Sequence, residues 1–124
     1  MIFITAEYLR NNPNHIFVFG DNLVRRGYGG AAKLRDFPNT FGFITKKRPD
    51  NKTTSFFTPH EYHSVFTDEL LKLKSEIVSN PDKLYLISKL GSGLANKFGI
   101  FEKIISNKIQ SELSKFENVK FLWE

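Results

Sequence analysis

The sequence predicts a single α/β domain over residues 1–124, with a central mixed or parallel sheet flanked by helices. Three observations lead to this fold class. Runs of β-branched and aromatic residues alternate with segments of helical periodicity. Two of these runs lead directly into glycine-rich segments, which is typical of open α/β sheets. The chain is also short, 40% hydrophobic and free of cysteine, so it must be stabilised by one core without disulfides.

The first half of the chain predicts three short strands and one helix. Residues 1–5 and 15–19 are rich in β-branched and aromatic side chains, and the second run is bounded by Asn-Pro-Asn and Gly-Asp-Asn. Residues 31–35 favour a helix that the next proline stops. Residues 41–45 predict a third strand, and the polar composition of 46–55 predicts a surface loop.

The second half of the chain begins with the clearest helix signal. Thr58 and Glu61 have capping-box spacing, and Pro59 stands at the first helical position. Apolar residues then recur every three or four positions until Asn-Pro-Asp at 80–82, so we expect a long amphipathic helix between these signals. The remaining predicted elements are a strand over 84–90, a helix over 100–113 and a closing strand over 119–123.

Two glycine-rich loops are the candidate ligand-binding segments. The first, residues 20–32, contains Gly-Asp-Asn and then Gly-Tyr-Gly-Gly-Ala-Ala, and the second, residues 91–99, has three glycines. Small residues let a backbone approach a ligand closely, and amides at the start of a helix favour a phosphate. Because both loops follow strands, we expect them to face each other across one cleft. Each loop by itself is also compatible with an ordinary tight turn.

In their order along the chain, these segments resemble a macrodomain, the ADP-ribose-binding fold. FVFGDNLVRRGYGGAAKL is similar to the strand, glycine-rich stretch and helix of that family, and ISKLGSGLANKFGIFEKII to its later strand, phosphate loop and helix. FITKKRPDNKTT resembles a segment of the branch typified by the terminal ADP-ribose protein glycohydrolase. The resemblance covers roughly residues 15–110 and implies a three-layer macrodomain-like fold with a central mixed sheet flanked by helices.

The resemblance implies a site for ADP-ribose or a related NAD-derived nucleotide. It places Asn22 near the distal ribose of the ligand, and Ser92 and Phe98 are a candidate donor and a candidate packing ring. No cofactor is implied, and the expected partner is the nucleotide or a macromolecule that carries ADP-ribose. The expected ligand-binding residues are Gly20, Asp21, Asn22, Gly29, Gly30, Ala31, Gly91, Ser92, Gly93, Leu94, Ala95, Asn96 and Phe98.

The alternative function is an ADP-ribosyl hydrolase that removes ADP-ribose from a protein, a nucleic acid or a small adduct. The glycohydrolase-like branch uses a lysine in the segment matching Lys46 and Lys47, and an aspartate after Gly-x-Gly-Leu, where this chain has Ala95. Asp21 is the candidate replacement for that acid. A desolvated lysine can form a Schiff base with an opened ribose, whereas a lysine on a solvated loop does not. The candidate catalytic residues are therefore Lys46, Lys47 and Asp21.

The charge balance makes nucleic acid a third and less favoured ligand. The chain has 18 Lys and Arg against 13 Asp and Glu, and the net charge of +5 favours an anionic partner. However, no basic stripe with interleaved aromatic residues stands out in the sequence. Nucleotide phosphates account equally well for the excess of positive charge.

Metal ions and membranes are not expected partners. His15, His60 and His63 have no neighbouring residues at metal-ligand spacing, so no metal site is predicted. The N-terminal segment is too short and too polar for a signal peptide, and no apolar run approaches the length of a membrane span. We therefore expect a cytoplasmic protein. The sequence predicts no oligomeric state.

Overall fold

The computed structural model describes residues 2–123, and within that range four strands form one parallel sheet in the order β2-β1-β3-β4. The α/β class predicted from the sequence is confirmed. The sheet is parallel, one of the two arrangements that the residue patterns left open, whereas the resemblance implied a mixed sheet. The strands are β1 His15–Asn22, β2 Thr40–Lys46, β3 Leu84–Ile87 and β4 Val119–Phe121. The α-helices are α1 Ala6–Asn11, α2 Pro59–Ser79 and α3 Ser106–Leu113.

Alternate residues of β1 supply two hydrophobic clusters, because successive side chains of a strand point to opposite faces of the sheet. Ile16 and Val18 belong to the larger cluster, together with the buried residues of α2 and α3. Phe17 and Phe19 belong to the smaller cluster, which includes Leu9 of α1. Both faces of the sheet are therefore covered.

Helix α2 begins where the sequence predicts. The Thr58 hydroxyl accepts a hydrogen bond from the Glu61 amide (3.3 Å), and the Thr58 amide donates to the Glu61 carboxylate (3.0 Å). This reciprocal capping box stabilises the first turn because it satisfies two amides that have no partner within the helix. The helix ends at Ser79, so the predicted stop at Asn-Pro-Asp is also confirmed.

Helix α2 also occupies part of the outer edge of β2. Glu69 is 4% exposed, and its carboxylate accepts a hydrogen bond from the Ile44 amide (2.8 Å); the Tyr62 hydroxyl donates to the Ile44 carbonyl (2.5 Å). Burial raises the pKa of Tyr62, so its phenol stays protonated and keeps this donor. Side chains of a helix therefore take the hydrogen-bonding positions that a neighbouring strand would use.

Two predictions of local structure are wrong, and the predicted last helix is confirmed with a different first turn. Residues 2–5 are not a strand; instead the Thr5 hydroxyl accepts a hydrogen bond from the Tyr8 amide and caps α1, a helix missing from the prediction. Met1 lies outside the described residues. The predicted helix after the first loop is a single 3₁₀ segment, Gly30–Leu34, because Pro38 leaves too few residues for a full α-helix. The last helix begins as a π-helix, Phe101–Ile105, before it continues as α3.

The ends of β1 and β3 differ from the prediction. Strand β1 continues to Asn22 because β2 pairs with it through Gly20 and Asp21, with a register shift between Asp21 and Asn22. Strand β3 ends at Ile87, before the predicted end at residue 90, and the amide and the hydroxyl of Ser88 both donate to the Val18 carbonyl of β1. The Gly-Asp-Asn segment, residues 20–22, therefore belongs to β1 and not to the loop that follows it.

The strand order places a topological switch point between β1 and β3. The chain leaves β1 toward β2 on one side, and it leaves β3 toward β4 on the other. Ligands of open α/β sheets bind beyond the carboxyl ends of the strands at such a reversal. Both glycine-rich loops begin there. In the part of the chain described, no helix has the length and apolar character to cross a membrane.

Candidate functional site

The two glycine-rich loops enclose a cleft of about 440 Å³ at the switch point. This volume lies within the ~300–1,000 Å³ range of small-molecule sites. In the structure the first loop covers residues 23–30 (loop 1) and the second covers residues 88–99 (loop 2), and they form two walls of the cleft. Thr45, Lys46 and Pro49, at and just after the end of β2, close a third side. The predicted site residues that line the cleft are Gly20, Asp21, Asn22, Gly29, Gly30, Ala31, Lys46, Gly91, Ser92, Gly93, Leu94 and Ala95.

Three predicted site residues, Lys47, Asn96 and Phe98, do not line the cleft. The Asn96 amide oxygen accepts a hydrogen bond from the Phe101 amide (3.0 Å), and its nitrogen donates to the Glu102 carboxylate (2.9 Å). Asn96 therefore holds the start of the π-helix. Phe98 is half-buried beside Lys97.

Asn22 shapes loop 1. Its side-chain nitrogen donates to the Arg26 carbonyl (2.7 Å), and its side-chain oxygen accepts from the Val24 amide (3.1 Å). Within this turn Arg25 has a φ of 52°, in the left-handed region that few residues other than glycine adopt. The Asn22 side chain is therefore engaged with its own loop.

Asp21 is held in an ion-pair cluster. Its side chain is 2% exposed, and its carboxylate pairs with Arg35 (2.7 Å) and Arg25 (3.4 Å). Arg35 also donates to the carbonyls of Gly27 (2.7 Å) and Arg26 (3.2 Å), so the pair fastens loop 1 to the sheet. A Cβ at Gly42 would collide with the Asp21 carboxylate, which explains glycine there. Asp21 therefore offers the cleft no uncompensated negative charge.

Loop 2 depends on Gly91 and presents free amides. Gly91 has a φ of 77°, a conformation that favours glycine, and an added Cβ would lie 2.5 Å from the end of the Ile105 side chain and would have to displace it. Within residues 2–123 the amides of Gly93, Leu94 and Ala95 donate to no protein acceptor. Successive unpaired amides of this kind form a site for an anion.

No neighbouring atom excludes a Cβ at Gly29 or Gly93. An added Cβ would meet no atom within 4 Å at either position. Gly29 has φ −76° and ψ 143°, an extended conformation that any residue adopts. Both residues line the cleft, where a missing side chain gives a ligand direct access to the backbone.

Lys46 and Lys47 have different surroundings. Lys46 lines the cleft, donates to the Asp50 carbonyl (2.9 Å) and has its pKa lowered by burial, against the opposing effect of Asp50. Lys47 pairs with Glu61 of the capping box (2.7 Å) and holds the pKa of that carboxyl at about 2. Of the two lysines, only Lys46 is placed to meet a ligand in the cleft.

The charges around the cleft favour an anion. Among the described residues that line it, Arg26, Lys46 and Lys89 are cationic, and the only carboxylate is that of Asp21. The negative charge of Asp21 is already compensated by two arginines. The cleft therefore combines free amides with uncompensated positive charge.

A second cavity of about 510 Å³ adjoins the cleft and shares Gly30, Ala31, Ser88 and Lys89 with it. Its walls are largely apolar and come from both chain ends, including Phe3, Ile4, Leu122 and Trp123. Phe3 is 80% exposed, which is unusual for a phenylalanine. The sequence reasoning missed this cavity, although the position of Trp123 at the end of the predicted closing strand was an available signal.

Between residues 2 and 123, no three His, Cys, Asp or Glu side chains form a group that would hold a metal ion.

Comparison with known proteins gives a match to a protein family. Residues 2–96 match a protein family described as a family of unknown function (DUF7831). No curated protein and no solved structure matches the chain.

Proposed function

This chain belongs to DUF7831, a family of unknown function, and we propose from its site that it binds ADP-ribose or a related NAD-derived nucleotide. The observation that carries the proposal is that two glycine-rich loops border one cationic cleft at the switch point of a parallel sheet. The free amides of loop 2 and the cations Arg26, Lys46 and Lys89 suit a diphosphate. The resemblance of both loops to those of macrodomains supports the same ligand class.

The two adjoining cavities indicate how such a nucleotide would lie. The apolar cavity beside Phe3 and Trp123 suits a base, because aromatic side chains stack on the faces of bases. The diphosphate would then lie over the ends of β1 and β3, and the distal ribose would reach the end of β2 at Lys46. We also propose that the fold is a three-layer macrodomain-like arrangement, which the coverage of both sheet faces supports.

Calorimetric titration with ADP-ribose, AMP and ATP tests this proposal. We expect ADP-ribose to bind more tightly than AMP or ATP, because it alone carries both a diphosphate and a distal ribose. Mass analysis of the recovered ligand would establish whether it is chemically unchanged. Absence of binding by all three nucleotides would contradict the proposal.

A variant that fills the cleft tests whether the nucleotide binds there, and a second variant serves as its matched control. Gly29→Leu places a side chain in the cleft at a position with ordinary backbone angles and no steric neighbour, so the fold is expected to survive. We expect at least about a tenfold loss of affinity, which corresponds to about 1.4 kcal/mol. Ser64→Leu, on the exposed face of α2, adds the same side chain away from the cleft and is expected to leave affinity unchanged. Equal affinity of the Gly29→Leu variant would exclude the cleft as the site.

Hydrolysis of ADP-ribosyl adducts is the second candidate function, and the surroundings of Lys46 are the observation that favours it. A lysine of lowered pKa in a cleft is a suitable nucleophile for an opened ribose. The proton transfers of such a reaction need an acid or base, yet Asp21 is engaged by arginines and Ala95 stands where the related branch has aspartate. We therefore place binding before turnover.

The two lysines provide the test of hydrolysis. Release of ADP-ribose from an ADP-ribosylated peptide would be measured for Lys46→Ala and Lys47→Ala. If the protein is a hydrolase, we expect turnover to be lost in Lys46→Ala and retained in Lys47→Ala, because only Lys46 lines the cleft. Undiminished turnover in Lys46→Ala would show that hydrolysis does not require Lys46.

A further inference from the structure

A lysine borders the apolar cavity beside its junction with the cleft. Lys33 belongs to the 3₁₀ segment Gly30–Leu34, and it lines the apolar cavity but not the cleft. Residues three apart lie on the same face of a 3₁₀-helix, so Lys33 and Gly30 share one face of this segment. Gly30 lines both cavities. Lys33 therefore stands beside the junction of the two cavities.

A second lysine borders the same junction from loop 2. Lys89 follows β3 and lines both cavities, as does its neighbour Ser88. The Lys89 ammonium lies 5.2 Å from the centre of the Phe101 ring. Such a contact attracts the cation to the ring without neutralising its charge. Two cations from different segments of the chain therefore border one junction.

No carboxylate neutralises these two lysines within the described part of the chain. Residues 2–123 contribute no Asp or Glu to the walls of the apolar cavity. Asp36, the acid nearest to Lys33 along the chain, accepts a hydrogen bond from the Tyr28 hydroxyl (2.9 Å). Neither Lys33 nor Lys89 takes part in an ion pair between described residues. The junction therefore has uncompensated positive charge.

The base and the diphosphate of the proposed nucleotide do not account for Lys33. The base is uncharged, and the diphosphate has Arg26, Lys46 and the free amides of loop 2 available in the cleft. The proximal ribose joins the base to the diphosphate. Because these two groups occupy adjoining cavities in the proposed binding mode, the proximal ribose lies at the junction. Lys33 and Lys89 therefore flank this ribose.

We propose that the nucleotide carries a phosphomonoester on its proximal ribose, which Lys33 and Lys89 bind at the junction. This inference rests on the proposed function. A phosphomonoester supplies about two negative charges and three acceptor oxygens, which suit the donors of a lysine ammonium. In dinucleotide-binding sites an acidic residue binds a free ribose 2′-hydroxyl, whereas a cation accommodates a 2′-phosphate. Lysines without an acid among the described wall residues therefore indicate a nucleotide of the NADP-derived class.

The test compares nucleotides that differ only in this phosphate. Calorimetric titration would measure the affinities of ADP-ribose, ADP-ribose 2′-phosphate and ADP-ribose 3′-phosphate. We expect the added phosphate to tighten binding at least about tenfold, which corresponds to one charge-assisted hydrogen bond. A gain at either position supports the inference, and the larger gain identifies the ribose hydroxyl that carries the phosphate. Equal or weaker binding of both phosphorylated forms would overturn it.

Variants of two exposed lysines separate the junction from general charge. Lys33→Gln is expected to lower affinity for the phosphorylated form about fivefold more than affinity for ADP-ribose. Lys108→Gln on α3 removes the same charge elsewhere and is expected to change neither affinity. An undiminished preference for the phosphorylated form in Lys33→Gln would overturn this inference, while binding of ADP-ribose would leave the proposed function standing. Failure of all three nucleotides to bind would overturn both.

Discussion

Adjacent glycines of loop 1 provide a measurement of backbone strain at the candidate site. Gly29 has a φ of −76°, and Gly30 has a φ of +56°. An added Cβ would meet no neighbour within 4 Å at either residue. Substitution by alanine therefore changes only the conformational terms. Both variants gain about 0.4–1 kcal/mol because alanine reduces the freedom of the unfolded chain. Only Gly30→Ala also incurs the cost of a left-handed conformation, about 1–2 kcal/mol.

The difference between the two variants isolates this strain. Gly29→Ala is expected to raise the free energy of unfolding, and Gly30→Ala to lie about 1–2 kcal/mol below it. For a chain of 124 residues, an unfolding entropy of ~2.1 cal/mol/K per residue converts this difference to about 4–8 °C in Tm. Thermal and urea unfolding followed by circular dichroism, without ligand, would measure it. Equal stability of the two variants, or greater stability of Gly30→Ala, would refute the reasoning.

Three further predictions concern individual side chains. Lys47 holds the pKa of Glu61 at about 2, below its usual 4.5. The stabilisation of the folded state by the ionised Glu61 is therefore fully present above pH 4.5 and is lost as the pH falls toward 2. When the free energy of unfolding is measured against pH, it should decline less for Glu61→Gln than for the unchanged protein. Glu69→Ala leaves the buried Ile44 amide without its acceptor and should cost about 1–3 kcal/mol in urea unfolding. Glu69→Gln retains an accepting oxygen and should cost less, and equal losses would contradict this assignment. Because burial lowers the pKa of Lys46, an amine-reactive ester at neutral pH should label Lys46 before Lys47, as mass spectrometry of brief reactions would show. The reverse order would contradict a lowered pKa of Lys46.

Sequence patterns predicted the elements whose signals are local. The capping box at Thr58 and the apolar periodicity of α2 fix that helix without help from the rest of the chain. The ends of β1 and β3 could not be predicted, because they depend on pairing between strands distant in sequence. The parallel arrangement of the sheet also depends on these long-range pairings.

Residue types and spacing predicted the position of the candidate site, but they did not predict which of its side chains are paired with other groups. Glycines after strands indicated where the cleft lies. The sequence did not reveal that arginines engage Asp21, because Arg35 reaches it only after loop 1 folds back on β1. It also did not distinguish Lys46 from Lys47, whose partners come from different segments.

The contacts of Glu69 and Tyr62 with Ile44 bear on how molecules of this protein behave at high concentration. An outer strand with free amides and carbonyls can template a strand from a second molecule, which begins fibril growth or domain swapping. On β2 the Ile44 amide and carbonyl are already engaged by α2, and the Gly42 carbonyl accepts from Arg25 (3.4 Å). Local detachment of α2 would therefore have to precede templated growth at Ile44, which couples resistance to aggregation to the stability of one helix.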